Sequence, residues 1–368
     1  MNSFSISISS SNINRTTYTK LIRLITLLFP LFVVRQVIFI SATLNQMTIT
    51  EASIDIGVTY QLLGDKQPQP SDVINLYKKY GIGKIRLYEP DPPTLDALKG
   101  TQISVALGIP KNDIPNLASG QGATNHWFSS KVQPYLDNVL LSYIVVGNDL
   151  IPGEYSSYIP TIMDYLQSIL NSSNLHGIKV TTAVPITTLV TSYPPSTGPF
   201  IKEAHGAFGR VLKFLSKQGS PLMINVYPYY AYATEPVNIR LDYAQFTAKE
   251  AIFQDKGLSY LNLFDAMVDA FYYAMERLGV SDVDVVVGET GWPSAGNGNF
   301  TTPKLAATYN QHFIKHILNF NGTPKRAGAY VEGFLHTMIN ENFQFNPGNQ
   351  NFGLFNPNMQ PVYPLFSN

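Results

Sequence analysis

Short apolar, β-branched runs recur along this chain, separated by longer stretches in which apolar positions return every three or four residues. The runs cover 55–60, 84–88, 102–108, 142–147, 179–184, 222–227, 284–288 and 329–335. They carry too few polar positions for strands with one wet face and predict strands buried on both faces, as in a parallel sheet. Stretches 71–80, 158–170 and 261–278 show helical spacing, and Ser71 is the expected N-cap of the first. Eight strand–helix units over the region after about residue 45 predict one (β/α)8 TIM barrel of the α/β class. A doubly wound open sheet is the alternative, but no Gly-x-Gly-x-x-Gly follows the first strand.

The polar residues that end these runs give the barrel its expected chemistry. Val285-Val286-Val287-Gly288 runs into Glu289, with Trp292 close behind, and Ile144-Val145-Val146-Gly147 runs into Asn148 and Asp149. Tyr60, Tyr88, Asn225, Tyr227 and Glu332 fall at other expected strand ends. A barrel gathers the C-terminal ends of its strands on one face. Two carboxyls facing one cleft are what glycosidic cleavage requires, and aromatic rings give a sugar flat surfaces to stack on. Any one of these residues alone has a structural reading: a strand-end Glu is usually salt-bridged, a lone Trp usually core. The repetition of a Val-Val-Gly run ending in a carboxylate on strands four and seven favours chemistry.

Composition narrows the choice. The chain has 368 residues, 45% hydrophobic and 14% charged, with 25 basic and 25 acidic side chains and no cysteine. That describes a large core without disulfides or a thiolate metal site, and no basic surface for nucleic acid. The His residues are dispersed, so neither a metal nor a cofactor is expected. Arg15, Lys20 and Arg23 precede an apolar stretch at 24–34, and Ser41-Ala42 offers small residues for cleavage. Residues 1–42 are therefore expected to be a secretory leader and 43–368 the catalytic domain. An uncleaved signal anchor is the rival; Pro30 and Arg35 interrupt the span it needs, so no stable membrane span is expected. Sequons at Asn171, Asn299 and Asn321 suit a secreted glycoprotein.

At Val287-Gly288-Glu289-Thr290-Gly291-Trp292-Pro293-Ser294 the chain resembles the plant glucan endo-1,3-β-glucosidases of glycoside hydrolase family 17. Ile56-Gly57-Val58-Thr59-Tyr60, Arg86-Leu87-Tyr88, Asn225-Val226-Tyr227-Pro228-Tyr229 and Phe352-Gly353-Leu354-Phe355 continue the likeness in order. It extends over roughly 54–366 and implies retaining hydrolysis of β-1,3-glucan, such as callose or fungal wall glucan, by a secreted monomer of the cell wall, apoplast or vacuole. By the same resemblance Glu289 is the nucleophile and Asp149 stands at the acid/base position. Asn148, Tyr60, Tyr227, Trp292, Glu332 and Glu341 bind substrate. The chain departs from the pattern at Asp149, where the family has Glu. The missing methylene withdraws the carboxyl by ~1.5 Å, and a misplacement of about 1 Å can cost about 100-fold. A weakened enzyme, or a wall protein that binds glucan without cleaving it, is thus the alternative function. Thr59, Gln61, Gly333, His336 and Thr337 depart as well, on the first and last strands.

Overall fold

The structure, a computed structural model, describes residues 54–64, 67–342 and 349–365. The expected leader lies outside them. The strands in chain order are β1 Ile54–Tyr60, β2 Ile82–Leu87, β3 Ser104–Ile109, β4 Leu141–Asn148, β5 Lys179–Pro185, β6 Leu222–Asn225, β7 Phe253–Asp255, β8 Leu258–Tyr260, β9 Val285–Thr290 and β10 Glu332–Leu335. β1–β6, β9 and β10 close into a parallel barrel in which β10 returns to pair with β1. This is the expected (β/α)8 arrangement, and closure rules out the open sheet. β7 and β8 form a separate antiparallel ribbon turning at Lys256-Gly257, both with positive φ.

The helices lie between strands: α1 Pro70–Lys79, α2 Pro92–Leu98, α3 Ile114–Ala118, α4 Gln121–Lys131, α5 Ile159–Ser172, α6 His205–Gln218, α7 Pro228–Thr234, α8 Leu241–Ala244, α9 Leu263–Arg277 and α10 Pro303–Leu318. α1 buries Val73, Ile74, Leu76 and Tyr77 along one face. Its N-cap is Gln69, not Ser71, because Pro70 occupies the first helical turn, where a missing N–H costs nothing. Asn262 caps α9 by accepting from the Asp265 amide at 2.8 Å.

Inside the barrel, Ala106, Val145, Ala183, Met223, Val286 and Phe334 pack as a closed layer. Phe334 fits only because Gly57 has no side chain: a Cβ there would stand 2.2 Å from its ring. This plug makes the barrel a solid base, so a substrate can approach only from an end. In the C-terminal segment Phe352, Leu354, Phe355 and Tyr363 are buried in the core, and Phe355 bridges to Ile339. Among the described residues no helix is long and apolar enough to cross a membrane. Asn171, Asn299 and Asn321 are all exposed.

Candidate active site

A cleft of ≈ 790 Å³ opens at the C-terminal ends of the strands, with Glu289, Asp149, Asn148, Tyr88, Tyr227 and His336 among its lining residues. Glu289 is the fifth residue of β9 and pairs in register with Asn225 of β6. Its Oε1 accepts from the Tyr88 hydroxyl at 2.8 Å and from Arg86 Nη1 at 3.2 Å, and its Oε2 accepts from the Tyr227 hydroxyl at 2.8 Å. Burial, and then the charge of Glu289, push both phenols well above their ordinary range, so they stay protonated as donors. Three donors, two from β2 and its end and one from beyond the end of β6, therefore fix the carboxylate plane.

Arg86 is the hub of this arrangement. It is 1% exposed, and besides Glu289 it donates to Asn225 Oδ1 at 3.3 Å and to Asn148 Oδ1 at 2.6 Å. Asn225 completes the ring: its amide donates to Asn148 Oδ1 and to Asp149 Oδ1, both at 2.9 Å. Both of its N–H groups and its carbonyl are thereby used. Glu289 and Asp149 are joined through two side chains: Asn225, which the strand-end reading names, and Arg86, which it does not. Gly288 gives Arg86 room. A Cβ at this position would lie 2.7 Å from Arg86 Nη1 and 3.0 Å from Asn225 Oδ1. Gly288→Ala is expected to fold but to lower kcat by about 10–100-fold, since a shift near 1 Å in a positioned group costs that much. Steady-state kinetics beside a thermal melt check this.

Asp149 follows β4 in the left-handed region, φ 55, after Gly147 at φ 74. Aspartate tolerates that conformation better than most residues. Its backbone N–H donates to Ala183 O at 3.0 Å, which fixes the turn. The residue is exposed along the cleft mouth, yet crowded on its other sides. Shielding from water, and then the charge of Glu289, push its carboxyl up to about 7, against the opposing pull of Arg86 and the Asn225 hydrogen bond. One carboxylate held by three donors and one carboxyl that keeps its proton near neutrality are the two states that acid-assisted glycoside cleavage uses.

Comparison with known proteins fits this geometry. The model of the glycosyl hydrolases family 17 matches residues 56–366. The chain belongs to that family. It is 45% identical over 341 residues to a probable glucan endo-1,3-beta-glucosidase of Arabidopsis thaliana, covering 92% of this chain and 98% of the relative. A glucan endo-1,3-beta-glucosidase of Vitis vinifera is 41% identical over 324 residues, covering 86% of this chain and 93% of the relative. Among solved structures, one of two plant beta-glucan endohydrolases with distinct substrate specificities superposes with a TM-score of 0.81 at 41% identity, covering 84% of this chain and 99% of that chain.

Four residues expected to bind substrate lie elsewhere in this family 17 enzyme. Glu332 opens β10 instead of ending it and pairs with Val286, three positions before Glu289. It therefore sits at the N-terminal end of the barrel, bound by the Tyr143 hydroxyl at 2.8 Å and Lys84 at 3.3 Å. Trp292 is fully buried among Tyr229, Tyr232 and Tyr309, and its indole donates to Phe300 O at 2.9 Å. Tyr60 is 1% exposed; strand alternation turns Thr59 and Gln61 toward the cleft side and Tyr60 away from it. Glu341 is buried behind Gln61, which lines the cleft and donates to both its oxygens at 3.1 and 3.2 Å. Asn148 and Tyr227, in contrast, border the cleft. Arg86 and His336 were not expected as site residues, whereas Asn225 was expected at a strand end and lies there. A positive charge inside an apolar strand, two residues before Tyr88, is the sequence signal that points to Arg86.

Proposed function

We propose that this chain is a retaining endo-hydrolase of (1→3)-β-D-glucan, working in the secretory space, with Glu289 as nucleophile and Asp149 as acid/base. The observation that carries the reading is the shared clamp: Arg86 and Asn225 hold both carboxyls on one cleft wall. In the first step Asp149 gives its proton to the glycosidic oxygen, the bond from that oxygen to the anomeric carbon breaks, and Glu289 forms an ester to that carbon. In the second step the Asp149 carboxylate takes a proton from water, the water oxygen attacks the same carbon, and Glu289 leaves. Asn148, oriented through its carbonyl by Arg86 and Asn225, stands beside the reacting centre to bond the sugar 2-hydroxyl. The names of the relatives support the linkage, and exposed sequons support the route of export.

Two displacements restore the anomeric configuration, so laminarin cleaved by pure protein is expected to release β-anomers first, followed by proton NMR before mutarotation. First release of the α-anomer would exclude the double displacement. No cleavage of laminarin, with the sugar still bound, would leave the non-catalytic binding protein instead.

A further inference from the structure

Thr59 and His336 stand 277 positions apart, yet closure of the barrel makes them partners: Thr59 Oγ1 lies 3.0 Å from His336 Nδ1. Thr59 is fully buried. The Tyr88 hydroxyl is 3.4 Å from the same nitrogen, and its proton is committed to Glu289 Oε1 at 2.8 Å. His336 is thus one hydroxyl away from the Glu289 carboxylate. Its ring packs against Phe352, tilted by 56° with 5.5 Å between centroids, and edge-on against Tyr227 at 6.3 Å. The backbone is tied down as well, with His336 N–H donating to Thr290 O at 2.7 Å. The ring is partly exposed and lines the cleft, and among the described residues Nε2 has no protein partner.

The geometry points to His336 as a sugar-binding residue, held through Nδ1 by Thr59 and presenting Nε2 to a hydroxyl of the glucosyl unit that lies over Glu289. This rests on the β-glucan reading above. Both tautomers serve it. If Thr59 donates to Nδ1, Nε2 carries the proton and donates; if Nδ1 donates to the two hydroxyls, Nε2 accepts. A sugar hydroxyl answers either. Thr59 and His336 are both positions at which the chain departs from its family's pattern, and their direct contact makes them one paired change and not two separate ones. A β-branched hydroxyl on β1 and an imidazole after β10 give this side of the cleft a hydrogen-bonding wall.

The test is calorimetric titration of a (1→3)-β-linked glucose tetramer into the full chain carrying Glu289→Gln, so that the ligand is not cut. Adding His336→Phe keeps a planar ring between Phe352 and Tyr227 and is expected to weaken binding about three- to tenfold, the range of one lost net hydrogen bond. His336→Gln, whose carboxamide reaches the place of Nε2, should regain most of the affinity. His336→Asn, which reproduces only the Nδ1 contact, should not. Thr59→Val, close in shape, should give a smaller loss through a less fixed ring. Affinity within twofold of the parent for His336→Phe, or equal affinities for the Asn and Gln variants, overturns the assignment while leaving the glucan reading intact. A parent that binds no tetramer overturns both. If the Phe variant does not fold, the Asn and Gln pair decides.

Discussion

Glu289→Gln is expected to remove laminarin hydrolysis almost completely, by a factor on the order of 10⁵–10⁶, while leaving the cleft able to hold glucan. The loss is large because the carboxamide cannot form the glycosyl ester, and among the described residues no other carboxyl is held by Tyr88, Arg86 and Tyr227, which shape this position. Stability should change less than activity. Gln keeps one oxygen to accept from Tyr88 or Arg86, but its amide nitrogen meets a donor, and Arg86, 1% exposed, loses the one salt bridge it makes among the described residues. Removing one member of a buried ion pair costs about 3–5 kcal/mol, of which the retained hydrogen bonds recover part. A lowered but cooperative thermal transition, with tetramer binding intact, separates lost chemistry from lost fold. Equal rates in parent and variant would sink the nucleophile assignment.

The barrel was legible because its strands are buried on both faces and so stand out as apolar β-branched runs. Every barrel strand falls where such a run occurs. The β7–β8 ribbon was not legible: three-residue strands such as Phe253–Asp255 carry no period, and only Lys256-Gly257 marks the turn. Strand ends were the weak point for function. Glu332 was expected at a strand end although the run 329–335 holds it in the middle, and β10 begins at Glu332, which carries it to the opposite end of the barrel. Trp292 shows a second limit, since proximity to Glu289 in sequence says nothing about which way a ring turns after the strand ends. Arg86 shows a third. Its bond to Glu289 joins positions 203 apart, and only the closed barrel brings them together.

Asp149→Asn is expected to cost about 10²–10⁴ in kcat/KM on laminarin, the worth of a positioned general acid. The parent's pH profile should already carry its signature. Catalysis needs the protonated carboxyl, pushed up to about 7, so activity should fall as pH rises through that value. The stability trend has the same sign. Unfolded, Asp149 ionises near its ordinary value of about 4; folded, it holds its proton to about 7. Between these limits the unfolded chain has lost a proton that the folded chain keeps, so this residue makes the parent less stable as pH rises. Asparagine does not titrate and keeps an acceptor for Asn225. The variant's melting temperature relative to the parent should therefore be higher at pH 8 than at pH 4. Asp149→Glu separates position from protonation. It restores an ionisable acid and extends it by ~1.5 Å toward the glycosidic oxygen, so hydrolysis is expected to persist. An Asn variant within tenfold of the parent, together with parent activity still rising above pH 8, would remove Asp149 from the mechanism. In that case Asn225 would be holding Asp149 in place for binding alone.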